Sequence, residues 1–236
     1  LELSFMDGFI EGYRELSSKY NVPLLGGDTT KSPDKLVINV CVIGKTNRGK
    51  ARKRSLARDG DVICVTGPLG DSGAGLKAIL EKYEQDEVLK PLIQWHTRPE
   101  PAINEGLWLA ERPEVHAMID VSDGIASDLG HVIDASETGA RIDIDHVPLS
   151  NVLKEAAKKY HWDAEDLALT GGEDYRLLLT IDGKNAENIV NTYNQAFQEP
   201  LTPVGKIVSD PKGVIEWFRN GQKVDFSKHG FNHFSG

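Results

Sequence analysis

The segment HAMIDVSDGIASDLGHVIDASETG, residues 116–139, carries the clearest fold signal in the chain. Its apolar start, residues 116–120, predicts a short strand that the turn SDG at 122–124 breaks. Apolar side chains then recur at helical spacing over residues 125–139, which predicts an amphipathic helix that stops at a glycine. The segment therefore delivers two carboxylates and a hydroxyl to the point where a strand ends and a helix begins.

The rest of the chain alternates between apolar β-like runs and helical patterns. Strands are predicted at 36–45, 61–67, 140–145 and 175–181, and in the tail runs VGKIV, VIEWFR and KVDF with a hairpin at Asn220-Gly221. Helices are predicted at 5–20, 75–83, 86–95, 102–111, 150–160 and 184–197. Because hairpin signals are mixed into this alternation, we predict an α+β fold with mixed sheets and flanking helices, in preference to a doubly wound Rossmann fold.

A basic connector over residues 47–58 is the predicted domain boundary. It separates residues 1–58, predicted as the remainder of an N-terminal domain, from a complete C-terminal α/β domain at 59–236. The first residue is Leu1, and the helix at 5–20 lacks a lead-in strand or loop. We therefore expect the chain to be part of a longer protein whose N-terminus is absent here.

Composition limits the classes of function. The 236 residues are 39% apolar and contain no run long enough to span a membrane, and a net charge of −9 argues against nucleic-acid binding through a basic surface. A phosphate ligand would need metal ions or a local basic cluster. Cys41 and Cys64 each lie in an apolar run and are predicted to be reduced core residues, so a cytoplasmic location is the default.

Three acidic segments are the candidate sites. Asp28 lies in GGDTT at 26–30, where glycines and hard oxygen ligands suit a divalent cation, although a tight turn that caps a helix explains the pattern equally well. Asp120, Ser122 and Asp123 lie where carboxylates can bridge Mg²⁺ to phosphates at a helix N-terminus. A helix cap is the alternative there, but it accounts for only one polar residue.

The third segment, TGGEDY at 170–175, places Glu173 and Asp174 after a double glycine, and simple turn chemistry is the alternative. Asp128, one turn into the helix at 125–139, either supports the ligands or lies on the surface. The glycine-spaced residues 67–75 resemble a phosphate-cradling loop but lack the P-loop lysine. Without a GxSxG elbow or a paired-histidine zinc motif, this inventory favours metal-assisted phosphoryl transfer.

Taken together, these motifs resemble the thiamine-monophosphate kinase family of the aminoimidazole-ribonucleotide synthetase-like superfamily. The resemblance rests on GGDTT at 26–30, TGPLGDSGAGL at 66–76, RPEP at 98–101, DVSDGIASDLGHV at 120–132, TGGEDYRL at 170–177 and GFNHF at 230–234. It implies a two-domain architecture, with the first domain incomplete here. It also implies an enzyme that phosphorylates thiamine monophosphate with ATP by direct in-line transfer, using several Mg²⁺ ions and sometimes K⁺, as a homodimer in the full-length protein.

The resemblance also implies roles for individual residues, with no catalytic group beyond those that position metal and phosphate. Asp28, Asp120 and Asp123 match metal ligands; Gly27, Asp28, Arg54 and Ser122 match the ATP site; Glu173 matches a substrate contact, and Phe231 an aromatic residue that stacks on thiamine. Two other readings stay open, a non-catalytic module that binds nucleotide or thiamine phosphate and another ATP-dependent member of the superfamily.

Overall fold

The computed structural model describes residues 2–226, which fall into two compact units divided after Lys45. In the first unit, α1 (Leu3–Tyr20) confirms the predicted helix at 5–20, and it buries none of its residues. Residues 21–45 form neither helix nor strand. Within residues 2–226, no helix combines the length and the apolar character needed to cross a bilayer.

The predicted strand at 36–45 is wrong. A strand is stabilised by hydrogen bonds to a neighbouring strand, and nothing among the described residues pairs with this segment. Its apolar side chains are exposed as a result, with Val37 and Val42 each at 77%. Cys41 is exposed as well, contrary to the prediction of a core residue, whereas Cys64 is buried, and burial raises the pKa of its thiol to about 12.

The second unit contains seven strands and seven further helices in its described part. The strands are β1 (Val62–Thr66), β2 (Val115–Asp120), β3 (Gly139–Asp143), β4 (Leu177–Ile181), β5 (Leu201–Val208), β6 (Ile215–Arg219) and β7 (Gln222–Val224). The helices are α2 (Asp71–Leu80), α3 (Lys90–Thr97), α4 (Ile103–Ala110), α5 (Ile125–Ser136), α6 (Asn151–Tyr160), α7 (Ala164–Thr170) and α8 (Ala186–Ala196). Short 3-10 helices lie at Arg54–Leu56, Glu87–Leu89 and Ile144–His146.

The strands form one sheet in the order β2-β4-β1-β5-β3-β6-β7. Neighbours are antiparallel except for β3 and β6, which are parallel, so the sheet is mixed and the predicted α+β class is confirmed. Side chains alternate between its two faces. Ile63 and Val65 of β1 face the core cluster that includes α5, whereas Cys64 faces the cluster that includes α4 and α8. The sheet is therefore covered by helices on both sides.

Three local predictions differ from the structure. Helix α2 begins at Asp71 rather than 75, because Gly70 in the left-handed region (φ 90°) starts it. Helix α5 ends at Ser136 through Glu137 in the left-handed region, and Gly139 starts β3 instead of stopping the helix. Helix α7 was not predicted; Asp163 caps it by accepting a hydrogen bond from the Asp166 amide at 3.0 Å.

Candidate active site

Three of the sequence motifs meet at one edge of the sheet because of the strand order. Strand β4 lies between β2 and β1 and runs antiparallel to both, so β1 and β2 point the same way. Their last residues, Thr66 and Asp120, therefore flank Leu177, the first residue of β4. Asp120 pairs with Leu177 in the ladder, and the Leu177 amide donates to the Thr66 hydroxyl at 2.8 Å. We call the loops 66–71, 121–124 and 171–176 the motif edge.

Backbone hydrogen bonds join two of these loops directly. The Val121 amide donates to the Arg176 carbonyl at 2.7 Å, and the Tyr175 amide donates back to the Val121 carbonyl at 2.9 Å. One step further, the Glu173 amide donates to the Ser122 carbonyl at 2.8 Å. The predicted substrate residue Glu173 and the predicted ATP residue Ser122 are therefore held against each other by the main chain.

This close approach explains the second of the two glycines before Glu173. A Cβ on Gly172 would lie 2.4 Å from the Ser122 carbonyl oxygen, so a side chain there would push the two loops apart. Glu173 and Tyr175 both occupy the left-handed region, with φ values of 63° and 51°. Non-glycine residues seldom adopt this conformation, and elsewhere they do so mostly at helix ends such as Glu137, whereas Glu173 and Tyr175 lie in a loop.

Asp128 supports the loop that carries the predicted metal ligands. Its Oδ2 accepts hydrogen bonds from the amides of Ser122 and Asp123, each at 3.0 Å, and the residue is 2% exposed. Burial raises the pKa of Asp128 to about 6, the negative charges of Asp123 and Asp120 add to this rise, and the two amides oppose it. The question that the sequence left open is settled in favour of support rather than surface.

The same carboxylates form a group that fits a divalent cation. Asp123, Asp128 and His131 each present one ligand atom, and these atoms lie within 4.8 Å of one another. Asp120 is exposed at the end of β2, close enough to raise the pKa of Asp128. Carboxylate oxygens suit Mg²⁺, and a cation among them would offset their mutual repulsion. Sequence reasoning missed His131, although the three-residue spacing from Asp128 places both on one helix face.

The glycine-spaced loop after β1 does not cradle a phosphate at its first amides. The fully buried carboxylate of Asp174 accepts hydrogen bonds from the Gly70 amide at 2.6 Å and from the Ser72 amide at 3.0 Å. Burial raises the pKa of Asp174 to about 7, against the effect of these donors. The prediction of a phosphate-cradling loop at residues 67–75 is therefore corrected, because the chain's own carboxylate occupies the N-terminus of α2.

A guanidinium that the sequence did not single out lies at the same edge. Arg176 is 9% exposed, and its Cζ lies 4.2 Å from the centre of the Trp95 ring. Its Nη2 pairs with Glu199 at 3.7 Å. The positive charge opposes the rise in the pKa of Asp174. Arg176 therefore partly balances the acids of the motif edge.

The backbone of Arg54 lies beside the opposite end of α5 from Asp123. Its carbonyl accepts a hydrogen bond from the Ser136 hydroxyl at 2.7 Å, and its side chain is exposed. Ser136 ends α5, whereas Asp123 precedes the start of α5, roughly 16 Å away along a helix of this length. In the same connector Arg52 donates to the carbonyls of Ala110 and Arg112 at 2.7 and 2.8 Å, so the connector is partly anchored.

The other predicted site residues belong to the first unit or lie outside the described residues. Gly27 and Asp28 belong to the first unit, where both are exposed and Asp28 Oδ1 accepts from the Thr29 amide at 2.8 Å. Phe231 and the motif GFNHF lie outside the described residues. The structure thus brings together Asp120, Ser122, Asp123 and Glu173, with Asp128 bound to the Ser122 and Asp123 amides.

Family models match both parts of the chain. The family model of the AIR synthase related protein C-terminal domain matches residues 58–218, and that of the N-terminal domain matches residues 1–46. A thiamine-monophosphate kinase from Escherichia coli K12 is 37% identical over 98% of the chain and 70% of its own length. The counterpart from Buchnera aphidicola of Schizaphis graminum is 36% identical over 98% of the chain and 69% of its length.

Solved structures give the same result. The chain is similar to AaThiL complexed with AMPPCP and TMP, with a TM-score of 0.77 and 29% identity over 99% of this chain and 70% of that one. It is also similar to thiamine-monophosphate kinase from Stenotrophomonas maltophilia K279a, with a TM-score of 0.66 and 32% identity over 76% of this chain and 56% of that one. The chain belongs to the thiamine-monophosphate kinase family, a family of enzymes among the AIR synthase related proteins.

Proposed function

We propose that this protein transfers the γ-phosphate of ATP to thiamine monophosphate, forming thiamine diphosphate by direct in-line transfer assisted by Mg²⁺. The observation that carries the proposal is the motif edge, where Asp120, Asp123 and Glu173 meet on loops joined by hydrogen bonds. The relatives' names support the reaction, and the similar structure that holds AMPPCP and TMP supports both substrates.

The chemistry needs little from the protein besides position and charge. The attacking group is a phosphate oxygen that is already anionic at neutral pH, so no strong general base is required. Asp120 and Asp123 would hold the metal, with Asp128 fixing the loop between them. Bound there, Mg²⁺ would neutralise negative charge on the two reactants, which otherwise repel each other.

The other residue roles are proposed on the resemblance. Asp28 is a further metal ligand, Gly27 and Arg54 with Ser122 contact ATP, and Phe231 stacks on the thiamine rings. Glu173 contacts the acceptor, for which its half-exposed carboxylate is suited because the acceptor carries a cationic ring and an amino group. K⁺ is a further ion that the resemblance implies.

We further propose two domains, residues 1–58 and 59–236, in a cytoplasmic enzyme that forms a homodimer when full length. The dimer is proposed on the resemblance alone. The oligomeric state in solution tests this part of the proposal.

The metal assignment is tested by Asp120→Asn and Asp123→Asn. Each change removes a charged ligand, and we expect turnover of ATP and thiamine monophosphate to fall by at least about 100-fold, since metal charge neutralisation contributes several kcal/mol. Thiamine diphosphate is measured by chromatography over a Mg²⁺ titration, with thiamine as an alternative acceptor.

The matched control is Asp134→Asn, an exposed aspartate on the same helix as Asp128. It should leave turnover and thermal stability unchanged. Near-normal turnover in both ligand variants would falsify the assignment of Asp120 and Asp123 as metal ligands.

A further inference from the structure

The last turn of α3 packs against the loop that carries Glu173. The indole Nε1 of Trp95 donates to the Asp174 carbonyl at 3.3 Å, and the Trp95 ring lies beside the guanidinium of Arg176. The next residue along the helix, His96, reaches the same loop. This turn lies outside every motif to which the proposed function assigns a role.

His96 connects two groups of the motif edge. Its Nδ1 lies 2.9 Å from the Ser72 hydroxyl and 3.6 Å from Glu173 Oε2, and its side chain is 17% exposed. The contact depends on a close helix crossing, because a Cβ on Gly75 would lie 2.2 Å from the Leu92 carbonyl oxygen and 2.9 Å from the His96 Cβ. Glycine at this position of α2 lets α3 bring the imidazole to Ser72.

Asp174, the neighbour of Glu173, completes a closed set of contacts with Ser72 and His96. Ser72 is fully buried, and its amide donates to Asp174 Oδ1 at 3.0 Å. Asp174 is covalently next to Glu173, so Asp174, Ser72, His96 and Glu173 form a ring of contacts. Three of the four members are at least four-fifths buried, and only the Glu173 side chain, at 55% exposure, is open to a ligand.

A glutamate held in this way is better prepared to bind. A free glutamate side chain loses rotamer freedom when a ligand fixes it, which weakens binding, whereas a prepositioned one loses less. The Glu173 backbone is already fixed by the Ser122 carbonyl. His96 is the imidazole that faces its carboxylate.

We propose that His96 is a positioning residue, which holds the Glu173 carboxylate toward the acceptor substrate without touching that substrate. The inference rests on the proposed function for the identity of the acceptor, thiamine monophosphate. It assigns to α3 a role in acceptor binding and none in ATP binding.

Kinetics and binding of four variants test the proposal. We expect His96→Ala to raise both KM and the calorimetric Kd for thiamine monophosphate about 5- to 10-fold, as contact couplings of this kind do, with the KM for ATP within about twofold. His96→Asn, whose amide nitrogen can replace Nδ1, should restore part of the affinity. The double variant His96→Ala with Glu173→Gln should bind no more weakly than Glu173→Gln alone.

The control is Thr97→Ala, the exposed neighbour whose hydroxyl bonds only within α3, and it should leave both KM values unchanged. Equal changes in both KM values for His96→Ala, or full additivity in the double variant, would overturn the positioning role.

A measurement without substrate separates this inference from the proposed function. The imidazole ¹⁵N shifts of His96 should change in Glu173→Gln, and unchanged shifts would overturn the contact alone. A wild-type protein that fails to phosphorylate thiamine monophosphate would instead overturn the proposed function, and with it the acceptor named here.

Discussion

The two ends of strand β4 hold an aspartate in opposite ways. Asp174, three residues before the strand, is fully buried, and burial raises its pKa to about 7. Asp182, directly after the strand, accepts hydrogen bonds from the Asn185 side chain at 2.8 Å and the Lys184 amide at 3.1 Å. The Asn185 bond is the main cause that lowers the pKa of Asp182. At one end of β4 the charged form of Asp174 is destabilised by burial, whereas at the other end the charged form of Asp182 is stabilised by hydrogen bonds.

The acids beyond the second end follow the same rule. Asp61, before β1, is 2% exposed, and both of its carboxylate oxygens face His116 Nδ1 at 2.9 and 3.0 Å. The Arg58 amide donates to it at 2.9 Å. We call Asp61, His116 and Asp182 the far edge. Asp61, the buried acid there, has a side-chain partner besides the Arg58 amide, whereas Asp174 in the motif edge and Asp128 beside it accept hydrogen bonds from backbone amides.

The two edges differ in where unfavourable charge is found: it is concentrated at the motif edge. Strained backbone at Glu173 and raised carboxyl pKa values at Asp128 and Asp174 occur together at the motif edge. Functional sites are where proteins retain such features. The physical properties of the two edges therefore favour the motif edge as the functional site.

The largest expected effect concerns the pH dependence of stability. The pKa of Asp174 in the folded protein lies above its unfolded value of 3.8. The contribution of Asp174 to folding stability is therefore complete below pH 4 and is lost as pH rises to about 7. The difference in unfolding free energy between wild type and Asp174→Asn should fall across this range, by up to about 4 kcal/mol. Urea unfolding at several pH values measures it.

Asp182→Asn is the matched control from the other end of β4, and the contribution of Asp182 to stability should change with pH in the opposite direction. The pKa of Asp182 is lowered on folding, so its contribution is present above the unfolded pKa and is lost as pH falls through the folded one. The same pH trend in both variants would contradict the comparison of the two ends.

A smaller effect is expected from Gly172→Ala. The added Cβ would lie 2.4 Å from the Ser122 carbonyl oxygen, so the variant should lose about 3 kcal/mol of stability and most of its turnover. Gly130→Ala provides the control, because a Cβ in this helix position meets nothing within 4 Å. That change should raise stability by about 0.5–1 kcal/mol. If Gly172→Ala is as stable and active as wild type, the tight junction of the two loops is not required.

The smallest effect belongs to the far edge. His116→Ala leaves the buried Asp61 carboxylate without its side-chain donor, so unfolding free energy should fall by about 2 kcal/mol. Turnover at saturating substrate should stay within about twofold, because among the described residues no side-chain hydrogen bond or ion pair joins this pair to the motif edge. His116→Asn should recover part of the stability. A large loss of turnover in folded His116→Ala protein would erase the distinction between the edges.

Much of the fold was predictable because periodicity marks buried elements directly. The buried strands at 62–66 and 177–181 and the hairpin at Asn220-Gly221 follow from apolar runs and turn chemistry alone. The run at 36–45 shows the limit of this signal, because strand propensity acts only when a partner strand is present. Helix α7 was missed because its seven residues are too few for a clear period.

The site was predictable only in part, for a similar reason. Spacing along the chain identified Asp120, Asp123 and Glu173, because each follows or precedes a strand near a glycine turn. It could not identify Asp174 as the partner of the Gly70 amide, since 104 positions separate them and strand order alone brings them together. His96 and Arg176 were missed for the same reason, as contacts between distant elements leave no local pattern.

The lack of space beside Gly172 divides the motif edge into parts that can and cannot be redesigned. The main chain around Gly172 is hydrogen-bonded to the neighbouring loop and leaves no room for a Cβ. A mutagenesis library that varies the glycines would therefore consist largely of misfolded clones. The Glu173 side chain projects outward from that rigid base. If Glu173 contacts the acceptor as proposed, a library aimed at a new acceptor molecule should randomise Glu173 together with His96. The glycines of the loop that carries Glu173 should stay unchanged.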